Sequence, residues 1–255
     1  MLATRLMPCL LMSNGALVKT VRFKEGAYVG DPVNAVRIFN QKEVDELILL
    51  DIHATTQASG IDYETLAKLT SECFMPICYG GGVRTLDEMR RLFALGVEKV
   101  SLGAAAFEVP DLVRKAASEF GSQAVVVTLD VRKKLLGRTT VCLRNGKRDL
   151  KQSPEDVARY FEAQGAGELL LYSIDRDGTW SGFDLALIQS VTQAVSVPVV
   201  VTGGAGSLSH IQAAVQHGGA SAVAIGSMAV FQAQDLGVLI KFPSRQDQLA
   251  IFEDY

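Results

Sequence analysis

The sequence predicts an α/β protein, a single (β/α)8 barrel of the TIM type that spans residues 1–255 as one domain. The length fits one such barrel, and no Pro/Ser-rich linker or charge run divides the chain. Short runs rich in Val, Ile and Leu alternate with longer segments of helical period, as expected for parallel strands covered by crossover helices. The two halves of the chain also resemble each other, which predicts a barrel of two pseudo-symmetric half-barrels.

Eight short apolar runs are the candidate barrel strands, because turn or helix signals bound each of them. They are Leu6–Leu10, Glu46–Ile52, Met75–Tyr79, Lys99–Leu102, Ala124–Leu129, Glu168–Ser173, Pro198–Thr202 and Ala222–Gly226. The segments between them that carry helical spacing are Pro32–Gln41, Tyr63–Cys73, Leu86–Leu95, Pro110–Phe120, Pro154–Gln164, Leu185–Ala194 and Leu208–Gln216. Several of these helices follow a Ser, Asp or Thr and precede a Gly, which are common helix-capping residues.

An internal repeat relates the two halves. Leu47 corresponds to Leu169 and Ile77 to Val199, and both offsets are 122 residues. A constant offset between strand and glycine motifs predicts two fused four-unit half-barrels. In this register Leu11, just after the first predicted strand, is the counterpart of Asp130 after the fifth and lies approximately opposite it.

Composition narrows the classes of function. The formal net charge is −3, hydrophobic residues make up 48% and charged residues 21%, as in a folded globular protein. No basic face is evident, so nucleic acid is not an expected partner. No signal peptide or membrane-spanning run is visible, so we expect a cytoplasmic protein that does not insert in a membrane. The scattered cysteines have no metal-ligand spacing, and we expect neither a metal nor a cofactor; they are Cys9, Cys73, Cys78 and Cys142.

Two glycine-rich segments suggest anion binding. Gly80-Gly81-Gly82 follows the third predicted strand, and Gly203-Gly204-Ala205-Gly206 follows the seventh. Glycines let backbone N–H groups approach phosphate oxygens, and the positive end of a following helix adds to the attraction. Ala224-Ile225-Gly226-Ser227, after strand eight, matches the usual phosphate position of this fold. The alternative is that these glycines only form tight turns.

Polar side chains at the carboxyl ends of the strands are candidates for proton transfer. Asp130 ends strand five and Asp177 follows strand six, where burial or a neighbouring charge can tune a carboxylate into a general acid or base. Helix caps or loop salt bridges are the alternative roles. After strand two, Asp51 would orient the mouth and His53 would contact the substrate. The alternative for each is a hydrogen-bonded structural role.

Taken together, these motifs resemble the HisF family, the cyclase subunits of imidazole glycerol phosphate synthase, over nearly the whole chain. The segments that carry the resemblance are Pro8-Cys9-Leu10, Gly30-Asp31-Pro32, Leu50-Asp51-Ile52, Gly80-Gly81-Gly82, Gly121-Ser122-Gln123, Gly165-Ala166-Gly167-Glu168, Ser173-Ile174-Asp175-Arg176-Asp177-Gly178-Thr179 and Gly203-Gly204-Ala205-Gly206.

The resemblance implies a partner protein and a route for ammonia. In HisF proteins a glutaminase, HisH, docks at the N-terminal face of the barrel, and ammonia crosses the barrel to a ribulosyl nucleotide at the other end. The charged ring at the ammonia entrance is matched here by Arg5, Glu46, Lys99 and Glu168. The alternative role of this ring is an ordinary set of salt bridges.

The resemblance also implies site residues for a phosphorylated small-molecule ligand. Lys19 belongs to the substrate loop after strand one. Gly103-Ala104 replaces an Asn-Thr pair that would help to hold a phosphate, so side-chain donors are missing there. The implied phosphate-binding set is Gly81, Gly82, Gly103, Asp177, Gly178, Gly203, Gly204, Ala224, Gly226 and Ser227.

Cyclisation in the family uses two aspartates. Asp130 matches the second, but Leu11 stands in place of the first and cannot transfer a proton. This departure counts against cyclase activity of the chain itself, while the ammonia entrance retains all its charged residues.

Details of the sequence resemble a HisF-like branch of polysaccharide gene clusters. There a HisH-like glutaminase and a separate sugar amidotransferase convert an N-acetyl group of a nucleotide-linked sugar to an acetamidino group. The resembling segments are Leu10-Leu11, Val18-Lys19-Thr20-Val21, Phe23-Lys24-Glu25 and Pro76-Ile77-Cys78-Tyr79-Gly80-Gly81-Gly82.

The leading hypothesis is therefore an ammonia-conducting subunit for surface-sugar amidination. The first alternative is an authentic cyclase-lyase of histidine biosynthesis that forms imidazole glycerol phosphate and AICAR. Another alternative is a noncatalytic phosphate-binding scaffold. A sugar-phosphate isomerase of the sister HisA type also uses paired aspartates, so Leu11 counts against it too.

Overall fold

The computed structural model describes residues 4–24, 26–54, 60–134 and 137–252. Glu25, part of one resembling segment, lies outside them. In chain order the elements are β1 (Arg5–Ser13), β2 (Ala16–Lys19), β3 (Ala27–Gly30), α1 (Pro32–Gln41), β4 (Leu47–Asp51), α2 (Tyr63–Glu72), β5 (Ile77–Gly80), α3 (Leu86–Ala94), β6 (Lys99–Leu102), α4 (Ala104–Glu108), α5 (Leu112–Phe120), β7 (Val125–Lys133), β8 (Thr139–Leu143), β9 (Arg148–Asp149), α6 (Pro154–Ala163), β10 (Glu168–Ser173), α7 (Leu185–Thr192), β11 (Val199–Thr202), α8 (Leu208–Gln216), β12 (Ala222–Ile225), α9 (Ser227–Val230) and α10 (Arg245–Phe252).

Within the described residues, eight parallel strands form a closed barrel. Their order around it is β1, β4, β5, β6, β7, β10, β11 and β12. Parallel pairing of Arg5 with Ala222 joins β12 to β1, and pairing of Glu168 with Val126 joins β7 to β10. The predicted (β/α)8 barrel is confirmed, and because β1 and β7 are first and fifth of eight, their ends face each other across the mouth.

Helices α1 and α6 begin where their capping residues predict, whereas the helix predicted from Pro110 begins at Leu112. Asp31 accepts a hydrogen bond from the N–H of Asn34 ahead of α1, and Ser153 accepts one from Asp156 ahead of α6. Each helix then starts with a proline, whose missing N–H is not needed at that position. Pro32 and Pro154 are 122 residues apart, and so are the first residues of α3 and α8. The structure thus reproduces the offset of the sequence repeat.

Two hairpins above the barrel were not predicted. β1 continues to Ser13 and pairs antiparallel with β2, which pairs with β3. In the other half, β7 continues to Lys133 and pairs antiparallel with β8, which pairs with β9. The predicted first and fifth strands were therefore too short, because their outer ends are stabilised by these hairpins and not by the barrel.

The core has two shells. The larger lies between the strands and the surrounding helices and contains the fully buried Tyr79, Phe39 and Phe161. The smaller fills the barrel interior with residues that are mostly apolar and modest in size, namely Met7, Cys9, Ile48, Cys78, Val126, Leu170, Val200, Ala222 and Ala224. The alternation of strand side chains separates the shells: Leu6 and Leu10 face the helices, while Met7 and Cys9 face the axis.

Among the described helices, none is long and apolar enough to cross a bilayer.

Candidate functional site

Four charged side chains form a ring at the N-terminal end of the barrel. Arg5 contacts Glu46 at 2.6 Å and also pairs with Glu168. Lys99 contacts Glu46 at 2.8 Å and Glu168 at 2.9 Å. Each cation therefore bridges both glutamates, and the four residues that the sequence singled out as an entrance are brought together.

Burial and the neighbouring charges have opposite effects on the pKa values of the two cations in the ring. Burial by itself would lower the pKa of Lys99 and of Arg5, but Glu168 and Glu46 outweigh it and raise the pKa of both groups. The glutamates are almost fully buried, at 4% and 5% exposure. Removing one cation would leave the two buried carboxylates with one cationic partner instead of two, which is costly.

Apolar side chains fill the barrel interior between this ring and the opposite end. Above the ring, Met7, Cys9 and Cys78 lie at the axis with small or branched neighbours. Burial raises the pKa of the Cys9 thiol to about 12, so this sulfur stays protonated and is a poor nucleophile. The column of side chains at the axis is therefore apolar.

The mouth holds a cavity of about 480 Å³. Leu11 and Leu50 line it on one side and Asp130 on another, so the expected pair of opposing groups is one leucine and one carboxyl. The cavity also reaches the first-half glycines Gly81, Gly82 and Gly103. This is the size of a small-molecule binding site.

Asp130 has the electrostatics of a proton-transfer group. Burial, with a smaller contribution from the negative charge of Asp177, raises the pKa of Asp130 to about 7. A carboxyl group that titrates near neutral pH can both give and take a proton. Leu11, 2% exposed, provides neither a charge nor a hydrogen bond from the opposite strand.

A serine and a histidine meet beside Leu11. The hydroxyl of Ser13 lies 2.8 Å from Nδ1 of His53, and both side chains line the cavity. Asp51 accepts hydrogen bonds from the backbone N–H groups of His53 and Ala54, at 2.9 and 3.0 Å. Burial nevertheless raises the pKa of Asp51. His53 thus takes part in a polar group at the mouth, and Asp51 shapes its loop.

The second-half glycines surround a much smaller recess. It offers about 10 Å³, room for roughly one water molecule. Its lining contains Lys19 and most of the predicted second-half set, namely Asp177, Gly178, Gly203, Gly204, Gly226 and Ser227. Ala224 is the exception, since it is fully buried in the barrel interior.

Lys19 enters this recess and pairs with Asp177. The same carboxylate accepts hydrogen bonds from Thr20 Oγ1 at 2.6 Å and from the Tyr172 hydroxyl at 2.9 Å. The oxygens of Asp177 therefore accept hydrogen bonds from several donors. Burial, and to a smaller extent the negative charge of Asp177, raises the pKa of Tyr172. A methyl group on Gly226 would meet Cε of Lys19 at 2.9 Å, so the end of the lysine side chain would have to shift to admit it.

Both hairpins reach across the mouth. The one formed by β2 and β3 meets the loop after β10, where the Arg22 N–H donates to the Asp177 carbonyl at 2.9 Å. The one formed by β8 and β9 meets the loop after β4, where Asn145 Nδ2 donates to the Ile52 carbonyl at 2.8 Å. Each hairpin thus extends from its own half-barrel to a loop of the other half-barrel.

The second hairpin brings residues that the sequence did not single out. Arg144, Asn145 and Lys147 line the cavity together with Arg84 from the loop after β5. Arg144-Asn145-Gly146 has three positive φ angles in succession, 55°, 56° and 75°. The dipeptide Asn145-Gly146 is a common turn signal that could have indicated the hairpin.

In the described part of the chain, no group of three His, Cys, Asp or Glu is placed to hold a metal ion.

Comparison with known proteins places this geometry in context. The family model described as "Histidine biosynthesis protein" matches residues 5–234. A provisionally named imidazole glycerol phosphate synthase subunit HisF2 of Pseudomonas aeruginosa is 50% identical over 243 residues, covering 95% of this chain and 97% of that protein. A provisionally named subunit HisF of Leptospira interrogans is 43% identical and covers 99% of this chain and 100% of its own length. A provisionally named HisF3 of Vibrio vulnificus is also 43% identical, covering 99% and 98%.

Proposed function

The chain belongs to the histidine biosynthesis protein family, in its HisF-like group, and from that premise we propose that it is the ammonia-receiving subunit of a glutamine amidotransferase complex. The observation that carries the proposal is the combination of a closed ionic ring at one end with a leucine in place of a carboxylate at the other. This combination supports a chain that receives ammonia but has lost one of the two carboxylates that cyclisation uses in the family.

The partner is a HisH-type glutaminase that docks at the N-terminal face. There the ring of Arg5, Glu46, Lys99 and Glu168 would face the ammonia source. Ammonia is small and neutral, so it can travel where an ammonium ion would be desolvated at high cost. The apolar column of Met7, Cys9 and its neighbours supports this route.

The acceptor that we propose is the N-acetyl group of a nucleotide-linked sugar, which a separate sugar amidotransferase converts to an acetamidino group. Leu11 supports this division of labour, since bond formation then takes place on the partner and needs no carboxylate pair in this chain. The phosphate-binding residues at the mouth would hold a phosphorylated ligand beside the ammonia exit.

A reconstitution with the glutaminase and the sugar amidotransferase tests the proposal. Addition of this chain should raise glutamine-dependent amidination well above the control that lacks it. Lys99→Met should lower product formation from glutamine but not from ammonium salt, because only the former uses the ring. Lys68→Met, which removes an exposed helix-surface ion pair with Glu64, is the matched control. No gain over the control without this chain would refute the proposal.

A second candidate function is the cyclase reaction of histidine biosynthesis. Asp130, with its pKa of about 7, and the hydrogen-bonded pair of Ser13 and His53 line one cavity, so a second proton-transfer group lies close to the missing carboxylate. The assay supplies the ribulosyl nucleotide and ammonium salt to the isolated chain. Formation of imidazole glycerol phosphate that is lost in both Asp130→Asn and His53→Gln would establish this function. Absence of turnover at high protein concentration would reject it.

Variants of the ionic ring also distinguish these two candidate functions from a third, that of a noncatalytic phosphate-binding scaffold. A scaffold needs no passage through the barrel, so Lys99→Met and Glu168→Leu would leave its effect unchanged. Loss of ammonia transfer in either variant would contradict the scaffold function.

A further inference from the structure

One hairpin at the barrel mouth concentrates positive charge. Residues 132–151, which we call the basic hairpin, comprise the outer end of β7, then β8 and β9 with their turns. They carry eight cations and one carboxylate, Asp149, and so a formal charge of +7. Since the whole chain carries −3, the remaining residues carry −10. The cations are Arg132, Lys133, Lys134, Arg138, Arg144, Lys147, Arg148 and Lys151.

Most of these cations face solvent. Arg132 is half-buried, because its Nη1 donates a hydrogen bond to the Gly146 carbonyl at 2.8 Å, and the other seven are exposed. Lys134 is paired with Asp149 at 2.7 Å. Within the described parts of the chain, four exposed cations form no ion pair, namely Lys133, Arg138, Lys147 and Lys151.

Other segments supply few carboxylates to the basic hairpin. Glu108 approaches Arg144 at 2.9 Å and Arg148 at 3.6 Å. Asp175 accepts a hydrogen bond from the backbone N–H of Lys133 at 2.6 Å. Two carboxylates cannot neutralise a charge of +7, so positive charge remains in excess.

The backbone of the hairpin holds these cations in place. Val131, at the base of the hairpin, pairs with Val141, and both side chains are buried. The turn after β8 is fixed by Asn145, whose Nδ2 donates to the Ile52 carbonyl at 2.8 Å. β8 has five residues, a length of about 16 Å, and cations lie beyond both of its ends. A partner would therefore meet charges whose spacing is already set, which lowers the entropy cost of binding.

The basic hairpin adjoins the opening of the barrel. Arg144 and Lys147 are exposed and also line the large cavity. In the β2–β3 hairpin, the other one above the barrel, Val21 and Tyr28 are 51% and 69% exposed. Protein interfaces commonly combine such apolar groups with charged ones at the rim. A macromolecule bound to the basic hairpin would thus cover the mouth.

The composition of the basic hairpin favours a protein over a nucleic acid. Residues 132–151 include no Phe, Tyr or Trp, whereas proteins that bind single strands stack the bases on aromatic side chains. A duplex or an anionic bilayer would be attracted by the charge alone and would block the mouth. A protein with an acidic surface satisfies the same charges and can receive what leaves the barrel.

We propose that the basic hairpin binds an acidic surface of the enzyme that accepts the ammonia, and so places that enzyme's acceptor site over the barrel mouth. The identity of the partner rests on the proposed function, in which it is the sugar amidotransferase. Exposed charges of this kind mainly accelerate association, and salt weakens their effect because it screens charges over about 8–10 Å.

Reversal of the unpaired charges tests the proposal. Binding of the sugar amidotransferase to the complex of this chain with its glutaminase is measured at low salt and at about 0.15 M salt. Lys133→Glu/Arg138→Glu/Lys151→Glu changes three cations that do not line the cavity. It should raise the Kd at least about tenfold, mainly through slower association, and should reduce the salt dependence.

A matched variant controls for net charge. Lys68→Glu/Lys115→Glu/Arg159→Glu makes the same change of charge at exposed positions of α2, α5 and α6, and it should change the Kd less than about twofold. The melting temperature of each variant shows that it has folded. If the reversed variant does not fold, Lys133→Gln/Arg138→Gln/Lys151→Gln takes its place, with an expected loss of at least about threefold.

Carbodiimide cross-linking gives an independent readout, because it joins a lysine directly to a carboxylate that lies against it. Products that link Lys133, Lys147 or Lys151 to Asp or Glu of the amidotransferase support the proposal. Products confined to Lys68 and Lys115 overturn it.

The outcomes separate this proposal from the proposed function. Equal affinity of the wild type and the reversed variant, or no binding by the wild type, overturns docking at the basic hairpin even if the chain stimulates amidination. Binding that depends on the hairpin without any stimulation of amidination leaves the docking intact and refutes the function. Binding of the wild type to phosphatidylglycerol vesicles or duplex DNA, but not to the amidotransferase, would assign the hairpin to those anions and overturn the proposal.

Discussion

Lys19 and Asp177 form a buried ion pair that ties the hairpin after the first barrel strand to the loop after the sixth. Their side chains are 4% and 1% exposed. Arg22 and Phe23, with φ angles of 53° and 58°, adopt a conformation that non-glycine residues seldom take. Both donate backbone hydrogen bonds to Asp177, at 2.9 and 3.3 Å, so this contact offsets the strain of the loop.

Removing the lysine should therefore destabilise the protein. Lys19→Met leaves Asp177 buried without its cation, and we expect a loss of about 3–5 kcal/mol in the free energy of unfolding. Urea denaturation measures it. The double variant Lys19→Met/Asp177→Asn removes both charges and should recover at least half of the loss. An unchanged unfolding curve for Lys19→Met would show that the pair contributes no stability.

Asp130 should make stability depend on pH. Its pKa of about 7 in the folded protein exceeds its ordinary value of 3.8, so the folded state holds the proton more tightly than the unfolded chain. Stability from this group is then fully present below about pH 4 and is lost as the pH rises to 7, by about 1.4 kcal/mol for each unit of pKa difference.

Asp130→Asn removes this dependence. Relative to the wild type, the variant should gain stability between pH 4 and 7 and keep a constant advantage above pH 7, as urea denaturation at several pH values will show. A difference between the two proteins that does not vary with pH would contradict the assigned pKa, and a carboxyl NMR titration measures that pKa directly.

Two glycines of the cavity floor should respond differently to alanine. Gly81 has a φ of 116°, and a methyl group there would collide with the backbone oxygen of Asp51. We expect Gly81→Ala to lower the free energy of unfolding by about 2–4 kcal/mol. Gly103 has open space around it, so Gly103→Ala should cost at least about 1 kcal/mol less than Gly81→Ala does. Similar thermal shifts in both variants would contradict this account.

Phe74 is expected to contribute to glutaminase binding. It is 88% exposed and lies three residues before β5, at the end of the barrel that carries the ionic ring. Asn40 accepts a hydrogen bond from its backbone N–H at 3.0 Å and holds the loop. Phe74→Ser should weaken association with the glutaminase by about 1–2 kcal/mol, or roughly five- to thirtyfold in Kd.

Tyr160→Ser is the matched control for Phe74. Tyr160 is 57% exposed on α6, a helix of the outer ring, and its loss should leave the Kd unchanged in the same titration. Equal affinity of Phe74→Ser and the wild type would remove Phe74 from the docking surface.

The sequence by itself determined the barrel, its repeat and most of its helices. Strand alternation, helical periodicity and capping residues such as Ser153 are local signals, and the repeat copies them at a fixed offset. The local patterns and the repeat are thus enough to place Leu11 opposite Asp130.

Only the tertiary structure decided which distant side chains meet. Lys19 and Asp177 are 158 residues apart, and Asn145 and Ile52 are 93 apart. Such contacts depend on loop paths that residues with positive φ, such as Arg22 and Arg144, determine, and no periodic pattern encodes those paths. Burial, which exists only once the chain has folded, gives Asp130 a pKa near neutral. Among the described residues, folding also gives the first-half glycines a large cavity and the second-half glycines only a small recess.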